Sequence, residues 1–177
     1  MTPTEQLKHE HQIILMVLGA VEREMRQIQA GDPIPGERIG SMIEFIRNFA
    51  DRCHHAKEEK LLFMKMQQRG MPVDGGPIGV MLQEHDAGRR MVRAAAEALP
   101  RATAGDAGAT AALATNLLDF VRLLRTHISK EDNILYPLAD QVLTAADQAD
   151  LLVAFDRVEA EEMGEGTHER YHQLAHE

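Results

Sequence analysis

Apolar residues recur at alternating steps of three and four along four stretches of this chain, the signature of helices that each bury one face. The first stripe reads Leu7, His11, Ile14, Leu18, Val21, Met25, Ile28, and the second Ile43, Ile46, Ala50, His54, Glu58, Leu61. The third is Ile78, Leu82, His85, Gly88, Val92, Ala95, Leu99, and the fourth Leu113, Leu117, Phe120, Leu124, His127, Glu131, Ile134, Leu138. No alternating strand pattern competes with them. Capping and breaking residues divide the stripes. Thr2, Pro3 and Glu5 make a capping box that opens a helix to about Ala30, where Gly31-Asp32-Pro33 stops it. Pro35 begins a second helix to about Arg69, and Gly70 to Pro77 is a loop. A third helix spans roughly Pro77 to Leu99, followed by a small-residue linker from Pro100 to Gly108. The fourth starts near Asp106 and runs to Leu143, with Pro137 kinking its last turns. Thr144 and Asp147 cap a fifth helix to about Met163, and Gly164 and Gly166 separate it from a short C-terminal helix beginning at Thr167. The predicted fold is all-α: an up-down-up-down four-helix bundle over residues 1–143, with one or two additional C-terminal helices over 144–177 packed on it.

Six members of these apolar stripes are polar: His11, His54, Glu58, His85, His127 and Glu131. Climbing from His11 to Ala30 and descending from Gly36 to His54 covers roughly 28 Å and 27 Å at about 1.5 Å per residue, so these two histidines meet at one level. Up-down connectivity carries His85 and His127 toward the same layer. An internal repeat supports the grouping: His11 and His85 are 74 positions apart, and His54/His127 and Glu58/Glu131 are each 73 apart. Each half supplies a Glu-His (Glu10-His11, Glu84-His85) and then a His-x-x-x-Glu. The repeat continues into Leu62-Phe63 and Leu135-Tyr136, and that alignment selects His54 and Glu58 over their neighbours His55 and Glu59.

Composition bears on what such a layer does. The chain has 177 residues, 44% hydrophobic and 27% charged, enough for one sizeable core. A formal charge of −9 argues against nucleic acid or anionic membrane as partner. No unbroken apolar run approaches the roughly 20 residues of a membrane span, and Met1 to Gln12 has no signal-peptide core, so a cytoplasmic location is expected. The single cysteine, Cys53, rules out an internal disulfide and an all-thiolate site. Histidine, by contrast, is abundant, with nine residues.

Residues four apart on a helix share a face, so His54/Glu58 and His127/Glu131 each present an imidazole and a carboxylate to one point. Burying two carboxylates and four imidazoles is unfavourable unless their charge is compensated, and no Lys or Arg lies on the stripes at that level. Two divalent metals supply about +4 against the −2 of the glutamates, the remainder being met by hydroxide, oxide or another anion. A donor set of imidazole and carboxylate without thiolate suits iron, manganese or zinc, and helical bundles with inward Glu/His sets host di-iron centres. Two non-haem iron ions, bridged by oxide or hydroxide, are the expected cofactor. His9, His55 and Glu59 lie off the seam in solvated or supporting roles, although a rotation of the helix would let His55 or Glu59 replace its neighbour, and Glu10 and Glu84 are either partners that orient imidazoles or solvated helix charges. His168 and Tyr171 in the C-terminal segment are further candidates, able to reach a metal if that segment folds over the end of the bundle.

The order His, His-x-x-x-Glu, His, His-x-x-x-Glu, together with Cys53-His-His-Ala-Lys-Glu-Glu-Lys-Leu-Leu-Phe63 and Glu131-Asp-Asn-Ile-Leu-Tyr-Pro137, resembles the hemerythrin-like cation-binding family over about residues 5–143. That resemblance implies a four-helix bundle with a non-haem di-iron centre bridged by Glu58 and Glu131. It also implies a small-molecule ligand: dioxygen, peroxide or nitric oxide. Oxygen-carrying members have a second histidine on the third helix, where Met81 and Arg89 stand here, and an aspartate five residues after the fourth-helix histidine, where this chain has Glu131 four after. These departures argue against reversible oxygen carriage. They leave a protein that reacts with dioxygen or peroxide, with peroxide decomposition as one outcome. The other reading is a module that senses iron, oxygen or nitric oxide, or sequesters iron, without turnover.

Overall fold

The computed structural model describes residues 1–164 and Tyr171, and every element among them is helical. The expected C-terminal helix from Thr167, and His168 with it, lie outside the described residues. Five helices follow one another: α1 (Pro3–Gln29), α2 (36–68), α3 (Pro77–Thr103), α4 (Ala107–Val142) and α5 (Ala145–Met163). α1 packs on α2 and α4, α3 packs on the same two helices, and α5 lies against α1 and α2.

The capping residues act as their chemistry predicts. Thr2 accepts from the Glu5 amide at 3.2 Å while Glu5 accepts from the Thr2 amide at 2.7 Å. Thr144 and Asp147 repeat that exchange at the start of α5. The expected linker at Pro100 is shorter than the composition suggests, because α3 continues through Pro100 to Thr103 and only then turns at Gly105, which adopts φ +97°. A proline in the last turn removes a single ladder hydrogen bond, and the helix tolerates it there. Asp106 caps α4 by accepting from the Ala109 amide at 2.9 Å.

Two helices depart from regular α geometry at the polar layer. The Ala56 amide donates to Asp51, the Phe63 amide to Glu58 and the Tyr136 amide to Glu131, each five residues back rather than four. These wide π turns cover Ile46–His55 and Glu58–Leu62 in α2 and Glu131–Leu135 in α4. Each inserts one residue into the helical repeat and rotates everything after it. Leu61 and Ile134, expected on the stripes, are therefore displaced: Leu62 and Leu135 turn inward, while Ile134 is 54% exposed against 1% for Leu135. Pro137 follows directly on the wide turn, where the ladder is already disrupted, and α4 continues to Val142.

The apolar core is divided. One cluster holds Ile14, Leu18, Val21, Phe49, Val92, Leu117 and Phe120 among others; a second holds Leu7, Leu62, Phe63, Ile78, Met81, Leu135, Tyr136, Leu151 and Phe155. On α1 to α4, His11, His54, Glu58, His85 and Glu131 fall in sequence between residues of the two clusters, and His127 lies beside that boundary, next to Ile128. By length and composition α4 could cross a membrane, so the unbroken-run criterion is too strict for it; a core helix meets the same test, and Leu113, Leu117, Phe120 and Leu124 are buried against the other helices.

The register shift is directly testable. Leu135→Ala should destabilise the protein by about 2–4 kcal/mol in chemical denaturation, the usual cost of emptying a buried leucine site. Ile134→Ala, one residue earlier and on the stripe that spacing alone selects, should change stability by no more than about 0.5 kcal/mol.

Candidate metal centre

All six residues singled out by spacing are buried and converge in the layer between the two apolar clusters. Near one end, His11 Nε2 lies 3.0 Å from His54 Nε2 and 3.2 Å from Glu131 Oε2, and Glu58 Oε1 is 3.8 Å from His54 Nε2. At the other end, His85 Nε2 lies 3.0 Å from His127 Nε2 and 3.4 Å from Glu58 Oε2, and His127 Nε2 is 3.0 Å from Glu131 Oε1. Each glutamate thus turns one oxygen toward each pair of histidines. Ligand atoms of His11, His54, Glu58 and Glu131 form one group within 4.8 Å, and those of His55, Glu58, His85 and His127 form another, with Glu58 common to both.

A cation fits this arrangement on the evidence of the polar atoms themselves. Both oxygens of Glu131 and Oε2 of Glu58 are fully enclosed and have no hydrogen-bond partner of acceptable geometry. An unsatisfied buried carboxylate is costly, and the electron pairs of the surrounding Nε2 atoms point at the same space. The carboxylates make His11 and His85 strong proton acceptors. Burial opposes charge on His11, yet Asp132 and Glu131 outweigh it and push its pKa up to about 10; for His85 the carboxylates of Glu131, Glu58 and Glu59 likewise prevail over burial, up to about 11. Burial also opposes ionisation of Glu131, but His11, His127 and His85 hold it well below the ordinary carboxylate range.

The far nitrogens of His11, His54 and His127 are hydrogen-bonded to carboxylates, which fixes the tautomer that leaves Nε2 free for a metal, whereas His85 Nδ1 faces Glu59 without a hydrogen bond. His54 Nδ1 lies 2.6 Å from Glu10 and His127 Nδ1 2.9 Å from Glu84. His11 Nδ1 lies 2.7 Å from Asp132, and His85 Nδ1 3.4 Å from Glu59. Lys57 in turn bonds Glu10, and Lys130 bonds Glu84. Lys57 is wholly buried, with Glu159 of α5 at 2.6 Å and the Phe155 ring 5.5 Å away. Burial opposes ionisation of Glu10, but His54 and Lys57 override it and lower its pKa to about 2.

The sequence anticipated Glu10 and Glu84, and a supporting role for Glu59, but not Lys57, Asp132 or Tyr136. A signal was present: Lys57 and Lys130, and Glu59 and Asp132, are also 73 positions apart, so extending the repeat beyond the ligand types would have found all four. Two of the positions at which the repeat breaks lie against the layer. Tyr136 stacks on His11, with centroids 5.4 Å apart, and donates to Glu58 at 2.5 Å; its counterpart Phe63 stacks beside His85 at 6.2 Å. Burial, reinforced by Glu58 and Glu131, raises the Tyr136 pKa well above its ordinary value, so the phenol keeps its proton. His55, expected off the seam, is only 6% exposed and stacks on His85 at 3.8 Å; its counterpart is Ile128. Burial, with His85 beside it, depresses the His55 pKa well below 6.5 and keeps the ring neutral. Tyr171 is in neither group; its hydroxyl accepts from Asn48 at 3.0 Å and its ring meets Phe45. His9 is exposed.

A cleft of about 340 Å³ between α2, α3 and α4 reaches His55 and His85, with Gly88 at its wall; a Cβ at Gly88 would sit 3.2 Å from the Phe120 ring. Arg89, which stands where a third-helix histidine was sought, spans this cleft from Asp51 at 2.8 Å to Glu59 at 2.6 Å. The buried network on the opposite side should be essential to folding. Lys57→Met leaves the Glu10 carboxylate buried without its ammonium partner and should cost about 3–5 kcal/mol in chemical denaturation.

The chain is similar over 164 residues to uncharacterized proteins of Mycobacterium bovis and Mycobacterium tuberculosis, 27% identical over 93% of this chain. It spans 64% of the length of those relatives. Over 89 residues, 49% of the chain and 40% of the other protein, it is 38% identical to the iron-sulfur cluster repair protein YtfE of Yersinia pseudotuberculosis. No solved structure matches. The hemerythrin HHE cation binding domain matches residues 2–139, which include all six converging histidines and glutamates, and the chain belongs to that family.

Proposed function

We propose that this chain is a non-haem di-iron protein that reacts with dioxygen or peroxide, its metals held by His11 and His54 on one side and His85 and His127 on the other, with Glu58 and Glu131 shared between them. The observation that carries this reading is the pair of enclosed carboxylates, each turning one oxygen to each histidine pair and leaving oxygens without hydrogen bonds. The reading treats α1 to α4 as an up-down-up-down bundle, which the packing of α1 and α3 each against α2 and α4 supports, and residues 144–177 as an extension to it. Imidazole and carboxylate donors favour iron over softer metals, and membership of a cation-binding family agrees.

Bound in this layer, an iron pair would supply the redox chemistry that dioxygen and peroxide require. The protein's share is positioning and exclusion. Glu10, Glu84 and Asp132 fix the tautomers of His54, His127 and His11, and the apolar clusters above and below keep bulk water out. Tyr136 holds a phenolic proton 2.5 Å from Glu58, close enough to hydrogen-bond a small oxygen ligand beside that carboxylate. The cleft at His55 and His85 is the route by which such a ligand arrives. A second reading, iron handling or the sensing of iron, oxygen or nitric oxide without turnover, draws on the similarity to the iron-sulfur cluster repair protein.

Anaerobic loading with ferrous iron should give two irons per chain and, after exposure to air, near-ultraviolet charge-transfer bands. His54→Ala should lose these bands and at least one iron while keeping its helical circular dichroism. Multiple-turnover loss of added hydrogen peroxide that disappears in His54→Ala supports the redox reading. Stoichiometric oxidation without turnover favours the sensing or iron-handling reading, and absence of iron from the wild-type chain sinks both.

A further inference from the structure

The two halves of the metal layer are related by the sequence repeat, and they differ where it fails. Around His11 and His54 the extra polar group is Tyr136; around His85 and His127 it is His55, which replaces the aliphatic Ile128 of the other half. A regular α-helix would turn His55 away from the face that carries His54. The π turn over Ile46–His55 brings both inward, and both are buried.

Resting on the di-iron reading above, we propose that His55 is a protein ligand of the metal held by His85 and His127, so that this metal has three imidazoles and its neighbour two. A ligand atom of His55 falls within 4.8 Å of those of Glu58, His85 and His127. Its Nδ1 faces the Asp51 carboxylate at 3.2 Å, the same kind of tautomer-fixing contact that His11, His54 and His127 make, which leaves Nε2 as the donor. Asp51 is itself fixed by Arg89 at 2.8 Å. The third helix offers no second imidazole near His85, since Met81 is packed in the lower apolar cluster and Arg89 is committed to Asp51 and Glu59. Arg89 therefore acts as a positioning residue for an imidazole supplied by the second helix. His55 and His85 also line the cleft, so the three-imidazole metal is the one nearest to solvent.

The test uses the full chain, stripped of metal and reloaded with ⁵⁷Fe(II) under anaerobic conditions, comparing wild type, His55→Ala, His55→Gln and Asp51→Asn. Wild type should show two Mössbauer doublets of equal area. In His55→Ala and His55→Gln one doublet should shift or vanish, and one iron should pass to a chelator at least about tenfold faster than in wild type. Free imidazole should restore the wild-type release rate in His55→Ala, a result that also answers any loss from misfolding, and Asp51→Asn should show the same change in weaker form. Two irons with unaltered doublets and release rates in both His55 variants would overturn the proposal and leave His55 a stacking partner of His85. A wild-type chain that takes up no iron would instead overturn the di-iron reading itself.

Discussion

Enclosing two carboxylates among imidazoles, in a layer cut off from water by apolar clusters on both sides, is the constraint on which the rest of this structure depends. Neither Glu58 nor Glu131 is exposed, and their unpaired oxygens face histidine nitrogens rather than donors in good hydrogen-bond geometry. Such a layer is strongly unfavourable as a purely structural device. It becomes favourable when a cation takes the place of the missing donors, and the belt of carboxylates behind the imidazoles is arranged for that state. Glu10, Glu84 and Asp132 each hold one far nitrogen, Glu59 faces the fourth, and the two buried or half-buried lysines balance the first pair.

The layer is symmetric in plan and asymmetric in detail. The repeat, at offsets of 73 and 74 residues, places equivalent ligands, carboxylates and lysines on either side, while Tyr136 against Phe63 and His55 against Ile128 give the two ends different chemistry. The Tyr136 end is closed, with Lys57 locked between Glu10 and Glu159 of the fifth helix. The His55 end opens to the cleft, with Arg89 across it. A small molecule therefore meets one end of the layer first.

Much of this was legible in the sequence because helical spacing and the repeat are both local signals. The stripe on α1 was complete, from Leu7 through Ile28, and both capping boxes formed where the residue types predicted. The six spaced histidines and glutamates do converge. What spacing could not show was the wide turns: a periodicity of 3.6 carried past Glu58 and Glu131 lands on Leu61 and Ile134, whereas the inserted residue delivers Leu62 and Leu135. The same geometry bears on His55, which a regular helix would turn away from His54's face and which the sequence admits as a ligand only if the helix rotates. Lys57 was missed for a different reason. A lysine on a helix is ordinarily solvated, and only the three-dimensional meeting of α1, α2 and α5 gives it Glu10 and Glu159.

The central claim, that this layer holds two metals shared by the same two glutamates, is tested most directly by anomalous diffraction at the iron edge from crystals of the iron-loaded chain. The account predicts two peaks, one framed by His11 and His54 and the other by His85 and His127, both in contact with Glu58 and Glu131. A map with no peak in the layer, or a single peak bound by one histidine pair with the other pair hydrogen-bonded to the glutamates, would contradict it.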